Sequence, residues 1–416
     1  MRPPRARALS GENRFRSVTF EEHPSYREIL SARALGPLVG LCDPHYRVHE
    51  GRAGARTRLN GRNLVNFASY DYLGLNGHPE ILAAQAEAAV QYGTSVSGSR
   101  LTSGERPVHR ALEDALASVY RSEAGVVFVS GHATAASVLQ ALLSPKDLVL
   151  HDELIHNCVM VGAESVRCQR KSYRHNDLVD LDLYLTRNRS QFENVLIVTE
   201  GLFSMDGDGC DLARLVEIKE KHGAWLMMDE AHALGVLGST GRGIAEHCGV
   251  DPRSVDIWYG TLSKTLVGCG GYVCGSQALI DILKMRAPGL VFSVGMPAPA
   301  AAASLKALSL MRREPERVER LQSNSRRFWD GARARGFDLG TSWGTAIVPI
   351  IVGSDLATLR AAYALEARGV YAFPVLEGGG GVRQGTSRLR FFISASHTDE
   401  DIDGALTAME GILAPA

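Results

Sequence analysis

The chain of 416 residues is 45% apolar and 22% charged, with a formal net charge of −1. That length buries a large core and is expected to divide into two or three structural units. The charge balance offers no argument for nucleic acid or an anionic membrane as the main partner, and no run approaches the roughly 20 apolar residues of a membrane helix.

The opening residues, "MRPPRARALSGENRFR", are basic, broken by proline and lack the apolar stretch of a signal peptide. They read as a mobile leader, with a targeting segment as the alternative, within an N-terminal arm covering residues 1–60. Seven cysteines are scattered singly with no CxxC pair, which fits a reducing, cytoplasmic setting. Alanine-rich "PEILAAQAEAAVQYG" (79–93) and "PVHRALEDALASVY" (107–120) follow as helix candidates. Next come short apolar runs suited to buried parallel strands, at 124–131, 147–152, 194–201, 224–230 and 254–260. Helix candidates at 133–143, 177–189 and 211–223 lie between them, the last opening at Asp211 as a cap and stopping at Gly223. This alternation predicts an α/β domain over residues 61–300 with a mostly parallel central sheet. Beyond it, the charged helix candidate "EPERVERLQSNSRRFWDGARARG" and separated strands at 346–353 and 389–395 predict a smaller α+β domain, residues 301–416.

Common cofactor loops are missing from the sequence. There is no GxxxxGK[ST], and "GVLGSTGRG" (235–243) has the wrong glycine spacing for a dinucleotide turn. "HDELIH" (151–156) separates its histidines by five residues rather than the four of a helical zinc pair, so no metal site is expected. In "MMDEAHALGVLG" (227–238), Asp229 ends an apolar run and His232 follows three residues later. Asp229 could simply cap the next helix beside a satisfied histidine, or both could face a cofactor. "YGTLSKTLVGCGG" (259–271) sets Lys264 just past an apolar strand among small hydroxyl and glycine residues. A lysine so placed can form a Schiff base with pyridoxal phosphate, with Thr261 and Ser263 offering hydroxyls to its phosphate. An anionic Asp229 would then keep the cofactor's ring nitrogen protonated, and His232 would reach its phenolic oxygen. The "SGHATAAS" turn (130–137) presents amides suited to phosphate, and His156 could lie on the ring.

Together these features resemble fold-type-I pyridoxal-phosphate enzymes and, within them, the α-oxoamine synthase family. "FASYDYLGLNGHPEI" (67–81), "GTSVSGSRLTSGERPVHRALEDALA" (93–117), "TEGLFSMDGD" (199–208), "DEAHALGVLGSTGRG" (229–243), "GTLSK" (260–264) and "RLRFFISASHTDEDID" (388–403) match family signatures in order. The motifs lie nearest the serine palmitoyltransferase-like branch, as Tyr70 does. The resemblance implies a fold-type-I transferase in which Lys264 is the Schiff-base lysine, Asp229 meets the pyridine nitrogen and His232 the phenolic oxygen. It implies that His156 stacks on the ring, that Ser204 contacts the cofactor, and that Thr261 with the Gly131–His132 backbone holds the phosphate. Arg390 matches the arginine that grips the amino-acid carboxylate, while Arg388 beside it has a weaker claim to that role and reads alternatively as a surface strand residue. Three positions depart from the family: His132 replaces an aromatic, Ala135 an asparagine, and Val294 a hydroxyl residue that reaches the partner subunit's phosphate.

The implied reaction condenses an α-amino acid with an acyl thioester, on coenzyme A or an acyl carrier protein, and releases CO₂. Serine is the first expectation for the amino acid, then alanine or glycine. Transamination or plain decarboxylation would share Lys264 and Asp229. A homodimer is expected, since active sites in the family lie at a subunit interface.

Overall fold

The computed structural model describes residues 18–38, 43–377 and 382–413, and the basic leader lies outside them. Residues up to Arg47 and those from Val48 onward form two separate compact units. The first contains helix α1 (Pro24–Leu38). The second opens with strands β1 (His49–Glu50), β2 (Arg56–Leu59) and β3 (Arg62–Asn66), so residues 48–60 of the expected arm are built into its sheet structure.

Helices α2 (Pro79–Tyr92) and α3 (Pro107–Val119) then lead into the central layer, each with proline in the first turn, where its missing N–H costs nothing. Chain order continues through β4 (Ala124–Phe128), α4 (Gly131–Leu142), β5 (Leu148–Asp152), α5 (Asn157–Val166) and β6 (Gln169–Tyr173). After these come α6 (Leu178–Asn188), β7 (Val195–Glu200), α7 (Leu212–His222), β8 (Trp225–Asp229) and α8 (Ile244–Cys248). Strands β9 (Ile257–Thr261) and β10 (Gly271–Gly275) complete a seven-stranded sheet of order β4-β10-β9-β8-β7-β5-β6. Only β10 runs against its neighbours.

The five strands expected from apolar runs are β4, β5, β7, β8 and β9. Each is buried on both faces. Leu196, Val198 and Met227 point into one core layer, while Ile197, Leu226 and Met228 point into the other. Two strands of this sheet escaped the sequence reading. β6, "QRKSY", is an edge strand with four of its five residues exposed, and β10, "GYVCG", is bounded by glycines at both ends. Helix α7 is capped as expected, since Asp211 Oδ1 accepts from the Arg214 amide at 3.0 Å. It ends where Gly223 turns left-handed at φ +57°.

Helices α9 (Gln277–Arg286), α10 (Pro288–Val291) and α11 (Ala298–Arg313) follow, α11 packing on α2 and α3. The long charged helix is α12 (Glu316–Ala334). After it come β11 (Ile347–Gly353), α13 (Asp355–Ala367), β12 (Val370–Tyr371), β13 (Phe373–Val375), β14 (Ser387–Phe392) and α14 (Asp399–Met409). A three-stranded antiparallel sheet orders β11-β14-β13, and β12 joins β3 in parallel. Both expected strands, 346–353 and 389–395, fall on β11 and β14. No described helix is long and apolar enough to cross a membrane.

Candidate active site

In open α/β sheets ligands sit beyond the carboxyl ends of the strands. Asp152, Glu200, Asp229 and Thr261 are the last residues of β5, β7, β8 and β9. Above these ends lies a cavity of about 240 Å³. Tyr70, Gly131, His132, His156, Ser204, Asp229, His232, Thr261, Lys264 and Arg390 all line it. The chain thus gathers ten of its eleven sequence-predicted site residues from segments spanning 320 positions, Tyr70 to Arg390. Ser263 lies at the rim, exposed, with its hydroxyl 2.9 Å from that of Thr261.

Asp229 accepts the Ala231 amide at 2.8 Å, so it does shape its own turn. It also faces the cavity. Burial lifts its carboxyl to about 6, against the pull of the Lys264 cation. Its register partner on β7, Glu200, is also pushed well up, by burial and then by Asp229 itself. Two neighbouring buried carboxylates resist ionising together. Glu200 Oε1 accepts the His156 amide at 2.8 Å, which fixes the start of α5.

Lys264 sits in the turn after β9, its ammonium 5.8 Å from the Tyr70 ring centre. Burial lowers its amine to about 8, even though Asp229 and Glu200 favour the cation. His232 is held by Tyr72, whose hydroxyl lies 2.6 Å from Nδ1, and its ring lies parallel to Phe392. Burial, then Lys264 and Arg390, keep His232 far below the usual histidine range, so it is neutral. Burial also pushes the Tyr72 phenol well up. A phenol can donate or accept at Nδ1; with Tyr72 donating, the His232 proton sits on Nε2.

Gly131 opens α4, capped by Ser130, whose hydroxyl accepts from Ala133. A helix's own carbonyls cannot reach its first-turn amides, so those of Gly131 and His132 remain for an anion. A Cβ on Gly131 would meet Thr261 Oγ1 at 3.0 Å and Gly270 O at 3.4 Å, so a side chain there would crowd the cradle. Thr261 donates to Gly270 O at 3.0 Å.

Arg390, on β14, donates to Ser204 O at 3.1 Å, and its guanidinium lies 4.5 Å over the Phe392 ring. Its Nε is buried and without a hydrogen-bond partner. Arg388 is not a surface residue. It is 4% exposed and donates to Asp206 Oδ1 at 2.7 Å and Met205 O at 3.1 Å, securing the loop that carries Ser204. That loop turns tightly at Gly207 (φ +70°), where a Cβ would strike Ile347 O.

A family profile, Aminotransferase class I and II, matches residues 62–409. The 8-amino-7-oxononanoate synthase of Symbiobacterium thermophilum is 39% identical over 357 residues, 85% of this chain and 89% of that protein. The enzyme of the same name from Anaeromyxobacter sp. (strain K) is 41% identical over 360 residues, 86% and 89% of the two chains. Among solved structures, Sphingomonas wittichii serine palmitoyltransferase matches with a TM-score of 0.89 at 27% identity, covering 95% of this chain and 98% of that one. The chain belongs to the class I and II aminotransferase family, among its α-oxoamine synthases.

Within this α-oxoamine synthase, Glu200, Tyr259 and Tyr72 are among the site residues that went unread in the sequence. Glu200 ends the apolar run "VLIVTE" as Asp229 ends "WLMMD", so the same strand-end signal marks it. Tyr259 lines the cavity from β9 and donates to Gly131 O at 2.8 Å. Tyr72 lies inside the matched "YDYLGL" but carries no local pattern that assigns it to His232.

Proposed function

We propose that this chain is a pyridoxal-phosphate-dependent acyltransferase that condenses a small α-amino acid with an acyl thioester, giving an α-amino ketone, CO₂ and free thiol. One observation carries the reading. The Lys264 amine, the Asp229 carboxyl group, the His232 imidazole and the Arg390 guanidinium, whose Nε has no hydrogen-bond partner, line a single cavity.

The cavity's residues fit the cofactor. First-turn amides at Gly131 and His132, with the Thr261 hydroxyl, suit its phosphate, and Gly131 leaves the space that a Cβ would take. Asp229 would hold the protonated ring nitrogen, His232 would donate to the phenolic oxygen, and His156 would cover one ring face. Ser204 would bound the site from the loop below Arg390. Bound there, pyridoxal phosphate supplies an electron sink for the amino acid's α-carbon.

The remaining work falls to the chain. Lys264 anchors the cofactor, gives way to the amino acid, and then removes the α-proton. An amine near 8 is partly unprotonated at neutral pH, which a general base requires. Arg390 grips the substrate carboxylate, its Nε being without a hydrogen-bond partner in the fold. Tyr70 stands between Lys264 and Arg390, its ring edge-on to Phe392 and His232. It limits the side chain the site admits.

For the amino acid, the relatives' name supports alanine beside the serine expected from the motifs. A nine-carbon acid with an amine on C8 and a ketone on C7 is what decarboxylative condensation makes from alanine and a seven-carbon acyl group. Product mass spectrometry with serine, alanine and glycine against coenzyme A and carrier-protein thioesters tests the assignment. Amino ketone from none of them would defeat it.

A homodimer in the cytoplasm completes the proposal. Leu101, Phe292 and Val294 are exposed, Phe292 at 87%. The Gly295 amide donates to Gly98 O at 2.9 Å, which sets their two loops side by side. Each described cysteine is free, which supports a reducing compartment.

A further inference from the structure

His175 follows edge strand β6 and takes no part in the cavity. Its Nδ1 lies 2.9 Å from Asp152 Oδ1 and its Nε2 lies 3.0 Å from Asp208 Oδ2. The imidazole is 12% exposed, and the two carboxylates 0% and 4%. A neutral imidazole has a single N–H, so two carboxylate contacts call for the doubly protonated ring.

Each carboxylate anchors a different wall of the site. Asp152 ends β5 and accepts the Leu154 amide through Oδ1, with the Asn176 amide on Oδ2, both at 2.9 Å. It thereby shapes the turn that delivers His156. Asp208 closes the other loop, where its carbonyl accepts from Phe203 at 2.8 Å and Oδ2 from Thr341 Oγ1 at 2.6 Å. That loop presents Ser204 O to Arg390. Asn176 adds a second strut, donating to Gly209 O at 2.9 Å. The His175 ring also stands edge-on to Phe203, centres 4.6 Å apart.

We propose that His175 is a positioning residue for the reaction. As an imidazolium shared by Asp152 and Asp208, it ties the turn carrying His156 to the loop carrying Ser204 and bracing Arg390. The inference rests on the roles given above to His156 and Arg390. Burial alone would lower the His175 imidazole, but the two carboxylates outweigh it and hold it up at about 10. The other charges nearby are already engaged: Glu153 accepts the His175 amide at 2.9 Å and pairs with Arg383. Without the cation, two buried carboxylates would face each other unpaired and push the walls apart.

Hydrogen exchange of the resting enzyme, without substrate, tests the tie directly. In His175→Gln, exchange should rise together in residues 152–157 and 201–209. The amino-acid KM should rise about tenfold, the scale of one charge-assisted hydrogen bond. The acyl-thioester KM should stay as in the wild type. Faster exchange in one segment alone, or an unchanged amino-acid KM where Arg390→Lys raises it, would overturn the proposal. If Arg390→Lys leaves that KM unchanged, it is the carboxylate-grip reading that fails, and exchange alone decides the tie. Should His175→Gln not fold, Asp208→Asn and nitrogen NMR of the wild type stand in. Asp208→Asn should loosen 201–209 only, and in mildly alkaline buffer His175 should carry two N–H protons. A singly protonated His175, or an unmoved 201–209 loop, would refute the proposal.

Discussion

Replacing Tyr72 with Phe removes a single oxygen, and its consequence follows from the surroundings. Tyr72 is 0% and His232 6% exposed, and the phenol lies 2.6 Å from Nδ1. The variant leaves a buried acceptor unsatisfied, which costs about 1–3 kcal/mol. His232→Ala leaves the Tyr72 hydroxyl stranded in the same way, so the two losses overlap in the double variant. Denaturant unfolding of the four proteins without cofactor, read as a double-mutant cycle, should give a coupling of about 1–3 kcal/mol. Additive losses with no coupling would mean that Tyr72 does not set the His232 tautomer. The Nε2–H assigned to the cofactor's phenolic oxygen would then lose its support.

Further outcomes follow from the same geometry. The protein with bound cofactor should be yellow, and Lys264→Ala should lose the borohydride-reducible tether; tethering in that variant would move the anchor to another residue. Arg390→Ala should weaken amino-acid binding while leaving the cofactor spectrum intact. Arg390→Lys should rescue it only in part, because an ammonium lacks the planar fork, and an unchanged amino-acid titration in both would return Arg390 to a structural role. Stability should also carry a histidine-linked pH dependence. His397 accepts the Ser394 amide on Nδ1 at 3.0 Å and meets Asn66 O with Nε2 at 3.1 Å, so protonation breaks the first contact. Burial lowers it from 6.5 to about 4. The unfolded chain therefore binds the extra proton first, and stability should fall as pH drops from 6.5 towards 4, by on the order of 3 kcal/mol. A His397→Gln variant with the same acid slope would show that the loss arises elsewhere.

Much of this architecture was legible because parallel strands buried on both faces are continuous apolar runs, and β5, β7, β8 and β9 read that way. β6 was not legible, since an edge strand exposing Gln169, Arg170, Lys171 and Ser172 has no apolar signature. β10 was hidden because glycines close both its ends. Asp229 and Lys264 stood out in the site because a charge at the end of a core strand is anomalous unless something pairs with it. Glu200 carries the same anomaly one strand away, and it became interpretable only when the β7–β8 register set it beside Asp229. The Tyr72–His232 and Arg390–Ser204 contacts join positions 160 and 186 residues apart, which no local pattern encodes. Arg388 misled for a related reason. Arg388 lies two residues from Arg390 on the same face of β14, and the 204–208 loop covers it where the sequence suggested solvent.

The central claim is that α-proton removal by Lys264 is coupled to acyl transfer and decarboxylation. It is tested most directly by counting two products of one turnover, CO₂ from a carboxyl-labelled amino acid and thiol from the acyl donor. Equal amounts of both, appearing only when amino acid and thioester are present together, are what the account predicts. CO₂ released at comparable rate without thioester, or keto acid accumulating with pyridoxamine phosphate, would contradict it.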